Sequence, residues 1–228
     1  MLKFYFSPAP NPMKVALFLE ESGLPYEAIP VDTRKGEQHS AQFLSRNPNA
    51  KLPVINDDGA IVFDSNAILL YLGEKTGQFM PGDSSNERGQ LLSWLMFIAS
   101  GIGPYSGQAV HFNRYAPEPM PYAKNRYDFE AERHFGIVEQ RLAENQYMVG
   151  SAYSIVDMAL WGWARILPVV MGEQAWASFP NLKRLVDEIT ARPAAVRAVA
   201  LPQSHTFKTE MDAESERAMF PGNARLAN

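Results

Sequence analysis

Apolar residues fall in two different rhythms along this chain. Over roughly the first third they come in short runs broken by proline, glycine and aspartate; after that they recur at helical spacing. Leu2 to Phe6, rich in aromatics, reads as a strand. Ser7-Pro8-Ala9-Pro10-Asn11-Pro12 cannot continue it, because its prolines remove backbone donors and fix φ. Lys14 to Ser22 reads as a helix, with Val15, Leu17, Phe18 and Leu19 as its apolar residues and Gly23 as its stop. Pro25 to Val31 is extended, and Thr33 to Gln38 is a polar loop. Strand, helix and strand in about thirty residues predict a βαβ unit with parallel strands. Leu52-Pro53 then leads into a strand at Val54-Ile55, a turn at Asp57-Asp58-Gly59 and a second strand at Ala60 to Phe63. Asp64-Ser65 opens a helix that runs on to Glu74.

Phe79 to Asn86 crowds Pro, Gly, Asp and Ser together and predicts a linker. Glu87 to about Ser100 is helical, with Leu91, Trp94, Leu95 and Ile98 on one side, and Gly101-Ile102-Gly103-Pro104 interrupts or kinks it. Pro117 to Pro121 is a break, followed by a long helix over Tyr122 to Asn145. Ser154-Ile155-Val156-Asp157 is a capping box variant, read as structural. Phe179-Pro180-Asn181 opens another helix that ends at Arg192-Pro193, and a short one spans Ala194 to Ala200. The expected organisation is an N-terminal α/β domain over 1–80, an all-helical domain over 87–202 and a polar tail over 203–228.

Composition narrows the chemistry. Hydrophobic residues make up 46% of the 228, enough for a proper core. Net charge is −4, with no basic stripe, so nucleic acid is not an expected partner. No apolar run reaches the roughly 18 residues of a membrane helix. The start, MLKFYFSPAPNP, lacks the apolar stretch of a secretory signal, so a cytoplasmic location is expected. There is no cysteine, which removes disulfides, Cys-ligated metal and Cys nucleophiles; any thiol chemistry needs a thiol carried by a ligand. His39, His111, His134 and His205 show no metal-ligand spacing, so no metal is expected. His111, beside Phe112, reads as a packed histidine, and Trp94, Trp161, Trp163 and Trp176 as core.

The helix start at Asp64-Ser65 collects unpaired N–H groups and the positive dipole end, so it can hold a carboxylate. The backbone edge at Leu52-Pro53 can hold a peptide. Together they point to a small acidic peptide.

These residues carry a resemblance. The βαβ-ββα layout followed by helices, with Leu52-Pro53, Asp64-Ser65-Asn66-Ala67-Ile68, the Ser154 to Asp157 box and Arg192-Pro193-Ala194, resembles the cytosolic glutathione transferase superfamily over residues 1 to about 200. Phe6 to Asn11, Lys35 to Gln38, Gly107-Gln108, His111 to Asn113, Pro121 to Ala123 and Arg126-Tyr127 are similar to the bacterial Nu class, relatives of the yeast prion-type nitrogen regulator. The resemblance implies the glutathione transferase fold: an α/β thioredoxin-like N-terminal domain plus an all-α C-terminal domain. It implies glutathione as co-substrate, a homodimer, and a small electrophile or disulfide as second substrate. Leu52-Pro53 would be a cis bond whose Leu52 backbone meets the cysteinyl part of the tripeptide. Asp64 would face its amino group, and Ser65 its γ-glutamyl carboxylate. Gln38 and Lys51 would reach other polar ends, Arg126 would approach from the helical domain, and Asn11 would face the sulfur.

Nu-class sequences commonly carry threonine where this chain has Ala9, so the thiolate donor is sought among Asn11, Ser7, Tyr5 and backbone N–H groups, with Asn11 ranked first and Ser7 second. The implied activity is attack by glutathione thiolate on an electrophile or a disulfide. The rival is a non-catalytic glutathione-binding or regulatory protein on the same fold, favoured by Ala9. Each residue also has a plainer reading: an edge-strand start for Pro53, a helix cap for Asp64-Ser65, a turn for Asn11, solvated surface for Gln38 and Lys51, and for Arg126 a pairing with Glu130 one turn away.

Overall fold

The computed structural model describes residues 1–82 and 84–227; Asp83, inside the expected linker, and Asn228, at the end of the expected tail, lie outside them. Four strands, β1 (Leu2–Phe6), β2 (Tyr26–Pro30), β3 (Val54–Asp57) and β4 (Ala60–Phe63), form one sheet in the order β2-β1-β3-β4. β1 runs parallel to β2, across the connection made by α1 (Pro10–Ser22), and antiparallel to β3, which turns back into β4. The pleat of β1 sorts its aromatics by face. Phe4 and Phe6 enter the main core, while Tyr5 joins Val31, Val54 and Phe43 in a small cluster on the other side. Phe43 belongs to a short helix, α2 (Ala41–Leu44), which no periodicity announces because it is a single turn.

α1 begins at Pro10, four residues ahead of the helix expected from Lys14. A first turn has no intrahelical use for its N–H groups, so Pro10 and Pro12 cost nothing there. The earlier start places Asn11 on the helix itself.

α3 (Ser65–Thr76) follows the hairpin. Next come α4 (Ser85–Phe97), α5 (Gly103–Arg114), α6 (Pro121–Glu144), α7 (Ile155–Ala164), α8 (Leu167–Met171), α9 (Pro180–Thr190) and α10 (Pro193–Ala200). The glycines at 101 and 103 do not break the chain: a π-helical turn, Ile98–Ile102, carries α4 into α5. The wider turn lets Pro104 sit in a new first turn, where it needs no donor. All ten residues of α7 are buried, and Ser154 and Asp157 cap it reciprocally. α1 packs against α3 of the N-terminal half and against α7 and α10 of the helical half, so it joins the two.

The stretch read as a polar tail forms α11 (Ala213–Met219) and folds back onto the N-terminal sheet. Phe207 meets Phe6 edge-on at 5.7 Å, and the Lys208 N–H donates to Asp32 at 2.6 Å. Its apolar residues, Phe207, Met219 and Phe220, follow no period. No helix among the described residues is long and apolar enough to cross a membrane.

Candidate functional site

A cleft opens where the N-terminus of α1, the loop before β3, the N-terminus of α3 and the π-turn meet. It has two connected parts, of about 510 Å³ and about 370 Å³, within the range of small-ligand sites. Asn11, Lys51 and Leu52 border both. Pro53, Asp64 and Ser65 line the first, against Ile98, Ala99 and Pro104 of the helical half. Ser7, Ala9 and Gln38 line the second with His111, Tyr115, Trp163 and Phe220. Of the residues expected to meet glutathione, all but Arg126 border this cleft. Arg126 is half-exposed on α6 and lies 3.5 Å from Glu130.

The α3 end is prepared for an anion. Asp64 is its N-cap and accepts from the Asn66 and Ala67 N–H groups through Oδ1, at 2.9 and 3.1 Å. The Ile68 N–H goes to the Asp64 carbonyl at 2.9 Å. The Ser65 N–H has no partner among the described residues, which leaves it for a ligand. Asp64 stands at φ 72°, a left-handed conformation rare for a residue with a side chain. Such geometry persists where the surroundings over-determine it, and it gathers at ligand clamps. The Leu52–Pro53 peptide bond is cis, and the loop before it is held by Asn47, whose Nδ2 donates to the Lys51 carbonyl at 2.7 Å.

Asn11 is oriented by a residue read from the sequence as core. The Trp163 indole N–H donates to Asn11 Oδ1 at 2.9 Å. That bond settles which end of the amide is which: Nδ2, the donor end, is turned from Trp163 and has no acceptor among the described residues. Ser7 is buried at the end of β1 and borders the cleft, as does Ala9. His111 packs edge-on against Phe112 and Phe220, and burial holds its pKa below the ordinary value. Of the tyrosines, Tyr115 borders the cleft, Tyr105 packs on His134 and Tyr127, and Tyr122 is exposed.

Gln38 is engaged within the chain. Its Nε2 donates to the Ala218 carbonyl at 3.1 Å and to the Thr33 carbonyl at 3.3 Å, which leaves Oε1 buried and unpartnered. The C-terminal segment thus closes one side of the cleft through Ala218, Met219 and Phe220, a contribution no motif signalled. A second missed residue is Lys14, 1% exposed, whose Nζ donates to Ser65 Oγ at 3.3 Å. The signal available was a lysine leading directly into the apolar run Val15 to Leu19. Among the described residues no cluster of three His, Asp or Glu is placed to hold a metal.

Comparison with known proteins agrees with this geometry. The family model described as the glutathione S-transferase N-terminal domain matches residues 1–74, and that of the C-terminal domain residues 110–193. The chain belongs to the glutathione S-transferase family. Among its relatives in that family is the disulfide-bond oxidoreductase YfcG of Escherichia coli K12, 40% identical over 217 residues, covering 89% of this chain and 96% of YfcG. The disulfide-bond oxidoreductase YghU of the same strain is 35% identical, covering 86% of this chain and 73% of YghU. A glutathione transferase from Burkholderia graminis, solved with two glutathione molecules per subunit, has a TM-score of 0.82 at 37% identity, covering 90% of this chain and 89% of that one. One from Pseudomonas putida, solved with a glutathione disulfide, has 0.82 at 35%, covering 88% and 91%. The glutathione S-transferase fold is therefore the thioredoxin-like sheet and the helical domain described above.

Proposed function

We propose that the protein is a glutathione-dependent enzyme in which the bound tripeptide supplies the thiolate, and that its substrate class is disulfides. The observation that carries the reading is the cleft itself. A cis-proline edge and a capped helix N-terminus lie on one wall, and an amide donor, turned by Trp163, borders the same space. The γ-glutamyl end is assigned to Asp64 and Ser65, the cysteinyl backbone to Leu52, and the sulfur to Asn11, with Ser7 as the second donor. A free thiol near pKa 8.5 is only a few per cent ionised at neutral pH, so a hydrogen bond to its charged form raises the reactive fraction.

The chemistry needs no protein cysteine. Bound glutathione thiolate attacks one sulfur of the disulfide, forming a mixed disulfide and expelling the other sulfur as a thiolate. A second glutathione thiolate then attacks the glutathione sulfur of that mixed disulfide. The products are two reduced thiols and one glutathione disulfide. Names of relatives such as YfcG and YghU support a disulfide over a carbon electrophile. The test is steady-state reduction of a model dialkyl disulfide by glutathione. Saturable turnover is expected, and binding of glutathione without turnover of disulfide or chromogenic electrophile favours the non-catalytic reading, whose support is the missing hydroxyl at Ala9.

We assign the protein to the cytoplasm and to homodimers. Large apolar side chains stay exposed on β4 (Ile61, Phe63), α4 (Leu92, Met96) and α6 (Phe129), more than a monomer of this size needs to leave in water. Sedimentation at micromolar concentration is expected to give twice the chain mass; a monomer refutes the assignment.

A further inference from the structure

Lys14 is a cation in a place that packing alone fills more cheaply with an apolar side chain. It lies on α1, almost fully buried, with its amine aimed at the N-terminus of α3. α7 makes the room: a Cβ on Gly162 would run into the Lys14 side chain and stand 2.7 Å from the Pro10 carbonyl. Yet Lys14 lines the cleft together with Ser65.

Its charge is poorly answered within the chain. α3 offers the Ser65 hydroxyl at 3.3 Å and the carboxylate of Asp64, which is exposed and already caps two backbone N–H groups. Gly162 of α7, which packs against the Lys14 side chain, carries no group to answer the charge. Lys51, across the same cleft, is a like charge in solvent. Burial therefore brings the Lys14 pKa down from 10.5 to about 7, with Asp64 pulling the other way.

We propose that Lys14 is a positioning residue for the anionic head of the ligand: when a carboxylate seats at the α3 N-terminus, the Lys14 ammonium holds that carboxylate through Ser65. The proposal rests on the glutathione reading and adds to it a proton-linked contact below the floor of the site. A carboxylate brought next to the amine favours its charged form, so binding raises its pKa and draws a proton from solvent. Below neutrality the amine is already charged and no proton is needed. Affinity should accordingly fall as pH rises above 7.

The test is calorimetric titration of the intact chain with S-methylglutathione, whose blocked thiol cannot ionise, in buffers of different ionisation heat. More proton should be taken up per site at pH 8 than at pH 6. Lys14→Met should abolish the difference between the two pH values and weaken binding about tenfold at pH 6. The amino group of the ligand contributes equally to both proteins, so their difference isolates Lys14. Binding with the same uptake at both pH values, or uptake unaltered in Lys14→Met, overturns the proposal and leaves the glutathione site standing. No binding at all overturns the glutathione reading and this one with it. If Lys14→Met does not fold, NMR of wild-type protein with 13C-labelled lysine decides. One lysine resonance should titrate near neutrality in the free protein and move up by at least one unit with ligand; a resonance that stays put refutes the proposal.

Discussion

Asn11→Asp is the sharpest perturbation of the proposed thiol site, because it changes the chemistry of one atom and almost nothing of its shape. Asn11 Oδ1 accepts the Trp163 N–H at 2.9 Å, so a carboxylate keeps one oxygen on that anchor and presents the other where Nδ2 stood. A donor to the thiolate becomes an acceptor. The lost hydrogen bond to a charged sulfur is worth about 1.5–3 kcal/mol. A like charge at about 4 Å adds repulsion of about 4 kcal/mol at an effective dielectric of 20. The carboxylate can escape by staying protonated, which at pH 7 costs about 4 kcal/mol from its ordinary pKa, and the protonated acid can donate again. That escape caps the penalty near 4 kcal/mol, so glutathione-dependent disulfide reduction should fall about 10²–10³-fold at pH 7 and recover as pH is lowered. Asn11→Ala loses only the donor and should fall about 10–100-fold. The assay is initial-rate reduction of a model disulfide across pH, with S-methylglutathione affinity measured in parallel and expected to change by less than about threefold, since the amide is assigned to the sulfur alone. If Asn11→Asp retains turnover within threefold, or loses affinity and turnover equally, the sulfur lies elsewhere and Ser7 or a backbone N–H takes the role.

Ser65→Ala should weaken glutathione binding by about 1–3 kcal/mol, the cost of leaving a charged partner unpaired; unchanged affinity by calorimetry with the fold intact removes the carboxylate assignment. Ala9→Thr restores a hydroxyl at the cleft wall and should raise disulfide reduction by up to about tenfold through a lower thiol pKa. A pH–rate profile identical to wild type would mean that the Asn11 amide already saturates the sulfur. Truncation after Ser204 removes Phe207, Met219 and Phe220 from the sheet and the cleft wall and should cost roughly 2–3 kcal/mol in urea denaturation while raising the KM for the disulfide. Stability and KM both at wild-type values would make the segment a passenger.

Much of the order of elements, though not α2, α8 or α11, was legible from residues alone, because those elements carried a local physical signal. Phe4, Tyr5 and Phe6 marked β1, Asp57-Asp58-Gly59 the hairpin, Asp64 the cap of α3, and Ser154 with Asp157 the box on α7. Turns and caps are satisfied by neighbours in sequence, so they need no knowledge of the fold. Where the pattern misled, the cause was also local: Pro10 and Pro12 look like breakers until they occupy a first turn. The interruption read at Gly101 to Pro104 takes the form of a π-turn.

The site residues divide along the same line. Leu52, Pro53, Asp64 and Ser65, which line the cleft, could be named from the chain because each belongs to a short pattern with a backbone consequence, and Asn11 through the family resemblance. Trp163, Lys14 and the segment from Phe207 to Phe220 could not. Trp163 matters only because α7 brings its indole to Asn11 across 152 positions of sequence. Lys14 matters only because Gly162 leaves it room and Ser65 lies above it. The polar C-terminal stretch matters only because Asp32, Gln38 and His39 offer it partners. Burial, charge compensation and hydrogen-bond partnership between distant residues come into being when the chain closes on itself. Residue order determined which elements form and which backbone ends are ready for an anion. Tertiary packing alone decided which amide end borders the cleft, which cation loses its water, and what covers the cleft.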